Sequence, residues 1–155
     1  RAGADHGIAN AGYRAIESCR LEKGYVYWSA DVSPDYTPIE AGLGFCVAFD
    51  KGDFIGRAAL AWGRAEGPAR KLCTFAVDGF APFHGGEAIV REGKVVGSTS
   101  SVGYGHHLGK TIAYGYLPAA LAGETSFEIE AFGRSYLAKR GPRCLYDAKM
   151  ERLKS

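Results

Sequence analysis

The spacing of apolar residues changes character partway along the chain. Over 8–21, Ile8, Ala11, Ala15, Ile16 and Cys19 recur at helical intervals, predicting a helix with these residues on its core face. Lys23 and Gly24 end it, because glycine adopts a left-handed cap without steric cost, and Arg20 falls in the last turn, where a cation suits the helix dipole. No period holds from 24 to 44. Phe45, Val47 and Phe49 then alternate, predicting a strand over 45–49. Phe54, Ile55, Ala58, Ala59 and Trp62 mark the buried stripe of a second helix over 54–64, with Asp53 placed to cap it.

A polar stretch at 63–68, containing glycine and proline, is the best domain boundary. Beyond it the pattern alternates, predicting strands over 71–77, 87–91, 94–101, 111–117, 126–131 and 135–139. Glu92-Gly93 is a tight hairpin signal and Gly133 makes a second hairpin. In the 126–131 strand, Phe127, Ile129 and Ala131 point inward while Glu128 and Glu130 point out. Residues 79–86 and 103–109 read as turn and loop, 1–6 as a frayed end, and the basic tail at 139–154 as solvated. Six short strands with frequent glycine predict a small antiparallel barrel after a mixed N-terminal part, an α+β chain.

Composition narrows the function classes without naming one. A length of 155 residues allows one domain or two small ones and burial of roughly two-thirds of the unfolded chain's surface. A formal net charge of +2 with scattered lysines and arginines gives no reason to expect a nucleic-acid partner. Cys19, Cys46, Cys73 and Cys144 form no Cys-x-x-Cys pair, which predicts free buried thiols in a reducing compartment and no metal site. No run approaches the roughly 18 apolar residues of a membrane span, and no signal peptide is visible. The sequence opens on Arg1, so a piece of a longer protein is expected.

Candidate chemistry concentrates at 20–45, where Arg20, Glu22, Lys23, Tyr25, Tyr27, Trp28, Asp31 and Glu40 crowd a segment of no regular period. One reading has Arg20, Glu22, Asp31 and Glu40 pairing to hold a loop in shape. The other has Tyr25, Tyr27 or Trp28 stacking on a flat ligand whose polar edge meets Glu22 or Asp31. Elsewhere the signals are weak. His106 and His107 are adjacent and therefore point apart, with no carboxylate nearby; His84 precedes two glycines and suits a turn. The glycines at 103, 105 and 109 lack dinucleotide spacing, and the serines at 98–101 lack a nucleophile frame.

The order of several separated blocks is more specific than any of these. Arg-Leu-Glu-Lys-Gly-Tyr at 20–25, then Trp28 and Asp31, then Thr-Pro-Ile-Glu-Ala-Gly-Leu-Gly-Phe at 37–45 resembles the glycine-cleavage T-protein (aminomethyltransferase) family. The likeness is greater to the T-like C-terminal half of flavin-dependent sarcosine and dimethylglycine dehydrogenases. It continues through Asp53 to Arg57, Gly85 to Ile89, Val95 to Gly97 and Lys110 to Tyr116, ending near Pro142 and Tyr146. The resemblance implies that 1–68 end a folate-binding domain (helix, loop, strand, helix) and that 69–155 form the family's C-terminal β-barrel. It implies tetrahydrofolate as cofactor, with FAD only in the parent. Tyr25 matches a folate-contacting tyrosine, Glu22 and Trp28 belong to the same block, and Arg143 and Tyr146 lie where the family's tail reaches the folate. The family's catalytic aspartate and pterin-holding glutamate would lie upstream, so no catalytic residue is expected in this chain. Aminomethyltransferases proper carry an arginine where Ile16 stands, which favours the dehydrogenase branch. The expected partners are the rest of the parent chain and folate, with no nucleic acid or membrane, in the cytoplasm or the mitochondrial matrix. A stand-alone aminomethyltransferase and a non-catalytic regulatory module, such as the regulatory subunit of pyruvate dehydrogenase phosphatase, are the alternatives.

Overall fold

The computed structural model describes residues 2–154. Its centre is a closed antiparallel barrel of six strands: β1 (Arg70–Asp78), β2 (Ala88–Arg91), β3 (Lys94–Gly105), β4 (Lys110–Pro118), β5 (Ser126–Ala131) and β6 (Arg134–Gly141). Around the barrel the order is β1-β4-β3-β2-β5-β6. The β2–β3 hairpin turns at Glu92 and Gly93, with φ of 51° and 73°, the doubly positive geometry that matches strand twist. Inward-pointing Phe75, Ile89, Leu117, Phe127, Ile129 and Ala138 fill the interior, and the Phe75 and Phe127 rings meet edge to face at 5.5 Å. The α+β barrel expected from the alternating pattern is therefore present.

β4 is buried on both sides. Ala113 and Leu117 join the barrel interior, whereas Ile112 and Tyr114 join a second apolar cluster with Leu21. That cluster lies beneath α1 (Tyr13–Lys23), capped by Gly24 in the left-handed conformation. The helix begins at Tyr13 rather than residue 8, after an extended Gly12, and a single 3-10 turn at Ala4–His6 precedes it; Arg1 lies outside the described residues. The face it turns to the barrel is also not the predicted one. Ser18, Arg20, Leu21 and Glu22 are buried, while Ile8, Ile16 and Cys19 are exposed. Polar side chains face inward because the barrel meets them with polar partners: the Ser18 hydroxyl donates to the Tyr104 carbonyl at 2.7 Å.

Further expectations fail as well. Residues 45–49 form no strand but lie across two 3-10 turns, Gly44–Cys46 and Phe49–Lys51, because a closed barrel offers no edge for a lone strand to join. The second helix, α2 (Arg57–Glu66), starts after Gly56, and the Asp53 carboxylate reaches only the neighbouring Phe54 amide. None of its residues is buried; Ile55, just before it, and Trp62 are exposed. Amphipathic spacing gives the phase of an apolar face, not the location of its partner. Two of the thiols expected to be buried, Cys19 and Cys46, are exposed, while Cys73 is buried and Cys144 half-buried. β3 also continues to Gly105 where a loop was expected from 103. The basic tail is not simply solvated: 143–147 bind the end of α1, and α3 (Glu151–Lys154) follows.

Glu87 fastens the loop before β2. Burial alone would push its carboxyl up, but the His84 and Gly85 amides and the Thr99 hydroxyl outweigh that and hold it below the usual range. A carboxyl lowered on folding adds stability that is complete above its unfolded-state value of about 4.5 and is lost as pH falls through the lower folded value. Glu87→Gln is expected to flatten the decline in unfolding free energy below about pH 4.5. Urea melts between pH 3 and 7 test this; an unchanged slope in the variant would refute it.

Candidate functional site

The segment after α1 is held to the barrel by one buried carboxylate. Asp31 is fully inaccessible to solvent. Its Oδ2 accepts hydrogen bonds from Arg20 Nη1 and the Tyr27 amide, both at 2.9 Å. Its Oδ1 accepts from Ser100 Oγ at 2.6 Å and the Ser101 amide at 3.1 Å. The same guanidinium donates through Nη2 to Ser101 Oγ, through Nε to Glu17, and through Nη1 to the Tyr25 carbonyl. The Tyr116 hydroxyl donates to the Asp31 carbonyl, and the Tyr114 hydroxyl, whose pKa burial pushes up, donates to the Leu21 carbonyl. Arg20 thus pairs with Asp31 and Glu17 rather than with Glu22. A buried ion pair of this kind requires every lone pair and proton to be matched, and the β3 serines complete it.

This lock holds the backbone that carries the aromatic side chains, through the Tyr25 carbonyl and the Tyr27 amide. Tyr25 is about half exposed, at 53 %, and stands between two grooves. One, of about 410 Å³, is lined by Ile16, Cys19, Glu22, Tyr25 and Tyr146. The other, of about 330 Å³, is lined by Tyr25, Phe45, Arg143, Cys144 and Met150. The tail forms the wall between them. Leu145 and Tyr146 donate their amides to the Glu22 carbonyl, and Lys23 Nζ reaches the Asp147 carbonyl and carboxylate. The Tyr146 ring lies 4.0 Å from the His107 ring, and its hydroxyl accepts from Arg152.

Of the five residues singled out from the sequence, Tyr25, Glu22, Arg143 and Tyr146 come together. Trp28 does not: it is exposed and lines neither groove. Three of the four have polar groups already engaged, Tyr146 through its hydroxyl bond to Arg152. The buried Glu22 carboxylate accepts the amides of His107 and Leu108 at 2.8 and 3.2 Å. Arg143 donates to the carbonyls of Gly24 and Gly42 at 2.9 and 2.7 Å. What the grooves present is the ring surface of Tyr25 and Tyr146 with an apolar margin. Glu40 receives the Thr37 amide and hydroxyl and sits 3.5 Å from Arg70. Sequence reasoning missed Ser100, Ser101 and Asp147 as partners; the polar density of the 98–101 run was the one available signal, and it marks a partner for Asp31 instead of a nucleophile.

Comparison with known proteins agrees with this architecture. Residues 70–147 match the glycine cleavage T-protein C-terminal barrel domain, and residues 1–51 match the GCVT N-terminal domain. Human mitochondrial sarcosine dehydrogenase is 41 % identical over 99 % of the chain, and human mitochondrial dimethylglycine dehydrogenase 39 % identical over 88 %. The chain spans only 18 % and 16 % of those proteins' lengths. The crystal structure of glycine cleavage system aminomethyltransferase T from Bartonella henselae superposes with a TM-score of 0.86 at 26 % identity, covering 94 % of this chain and 42 % of that one. The barrel, the helix laid across it and the sequence blocks that join them place the chain in the glycine cleavage T-protein family.

Proposed function

We propose that the chain contributes one wall of a tetrahydrofolate site in the T-like half of a flavin-linked N-methyl amine dehydrogenase. The supporting observation is Tyr25, an exposed ring held by the Arg20–Asp31 lock between two grooves that Arg143 and Tyr146 border. The donor set suits part of folate. Ring surface and apolar margins suit its flat body, while Glu22 and Arg143 are engaged within the protein and do not supply the polar edge that a pterin needs. That fits a site whose polar half is provided by preceding residues of the parent.

In this reading 1–68 end the folate-binding domain and 69–155 are the barrel domain, the parent chain is the principal partner, and the compartment is the mitochondrial matrix. Tetrahydrofolate, when bound, supplies the acceptor for a one-carbon unit. The residues of this chain orient it: Tyr25 stacks, Tyr146 closes one side, and Arg143 holds the Gly24 and Gly42 carbonyls so that the Tyr25 backbone stays in place. FAD would belong to the parent's other half, and the chain by itself would not turn over. Ile16, exposed in the larger groove, favours the dehydrogenase branch over an aminomethyltransferase, which carries arginine at that position.

The test is fluorescence titration of the parent protein, which supplies the preceding residues, with 5-formyltetrahydrofolate. Saturable binding is expected, weakened about fivefold to tenfold in Tyr25→Ala, the range for loss of one aromatic contact. Equal affinity of the variant would remove Tyr25 from the site, and no binding by either would reject the folate reading for this chain.

A further inference from the structure

A larger cleft, of about 530 Å³, shares no lining residue with the Tyr25 grooves. It lies at the start of the β3–β4 pairing. Thr99 is the first β3 residue in register with β4, opposite Gly115, and the Gly97 backbone packs closely against the Tyr116 carbonyl beyond it. The Tyr36 ring stacks on Tyr116 at 3.8 Å and 5°, and the Arg70 guanidinium lies 5.2 Å from the Tyr36 ring centre. Tyr116 is fixed through its hydroxyl to the Asp31 carbonyl. The guanidinium is thus preorganised on two stacked rings that rest on the buried lock.

Its hydrogen-bonding capacity is mostly unused. Arg70 Nε lies 3.5 Å from Glu40 Oε1, and the side chain is half exposed. Among the described residues, neither Nη group of Arg70, nor the Ser98 hydroxyl, nor the Tyr36 hydroxyl makes a hydrogen bond within the protein. Val96, Leu117 and Pro118 give the same cleft an apolar wall. One guanidinium beside hydroxyls suits a planar monoanion with two acceptor oxygens. A phosphate dianion would need further cations, a helix N-terminus or a glycine-rich nest of amides, and the lining residues include no second cation.

We infer that this cleft binds a small monocarboxylate with a compact apolar body, its carboxylate on Arg70 and Ser98 and its body against Leu117 and Pro118. The volume is in the usual range for small-molecule sites. The experiment is an amide and arginine Nε NMR titration of the chain with benzoate, and separately with inorganic phosphate. Benzoate is expected to move the Arg70 Nε–H, Gly97 and Ser98 signals saturably, with phosphate producing no saturation. Arg70→Gln is expected to weaken benzoate about tenfold or more, the effect of losing a charge-assisted hydrogen bond. Ser98→Ala, which disturbs no bond within the protein, is expected to weaken it severalfold.

Three results would overturn the assignment: no saturation by benzoate, undiminished binding in the folded Arg70 variant, or phosphate competing on equal terms. Displacement of benzoate by 5-formyltetrahydrofolate would also do so, since the cleft would then be part of the folate site. Failure of the folate titration above leaves the benzoate result unaffected, so the two readings stand or fall separately.

Discussion

Asp31→Ala is expected to lower the unfolding free energy by about 3–5 kcal/mol, the range for breaking one side of a buried ion pair. The loss exceeds the value of any single contact because four donors converge on this carboxylate: Arg20 Nη1, the Tyr27 amide, Ser100 Oγ and the Ser101 amide. Removing it strands the Arg20 guanidinium, itself only 8 % exposed, with Glu17 as its remaining anion. Asp31→Asn keeps the shape but turns an amide donor or a neutral oxygen toward Arg20, and a substantial part of the same loss is expected. Urea denaturation gives the number, and a change under 1 kcal/mol would contradict the role assigned to the lock. Hydrogen exchange supplies a spatial check. Amides of 13–32 should exchange faster in the variant while those of β5 and β6 keep their protection, because α1 packs mainly on β3 and β4.

Phe75→Ala is the second large effect, about 3–5 kcal/mol for a fully buried phenylalanine. Phe75 has no solvent exposure and touches Phe127 edge to face, so truncation leaves a cavity in a closed wall. Six strands joined edge to edge cannot collapse into that space without shifting register, which keeps the cost near the upper part of the range. Leu137→Ala on the outer surface of β6, where the side chain is 59 % exposed, is the control and should fall within about 0.5 kcal/mol of the parent. Melts that fail to separate the two variants would mean that the barrel interior is looser than described.

Strand alternation and the paired positive-φ turns made the barrel readable in the sequence. Phe127, Ile129 and Ala131 face inward as their spacing requires, and Glu92-Gly93 turns as its residue types require. The region before the barrel was read less well, for a physical reason. Period identifies a face but not which neighbour it meets, so Ile16 and Cys19 were placed inward on α1 when Ser18, Leu21 and Glu22 are the residues against the barrel. Residues 45–49 alternate like a strand yet have no edge to join. The candidate site shows the same division. The crowding of charges and rings at 20–31 marked the segment, but the partners that settle its geometry lie far along the chain: Ser101 is 81 positions from Arg20, and the His107 amide is 85 from Glu22. No local pattern encodes those pairings.

Those separations also bear on the order in which the chain acquires its shape. Asp31 finds Ser100 and Ser101 only after 69 and 70 further residues exist, a wait on the order of 10 s at ordinary rates of synthesis. Through that interval the Arg20–Asp31 pair lacks the β3 serines that complete it, and closure of so long a loop yields nothing until β3 is in place. The aromatic segment is therefore made well before the residues that settle it. A substitution that slows formation of the β2–β3 hairpin should prolong its exposure to chaperones without altering a single contact of the finished protein.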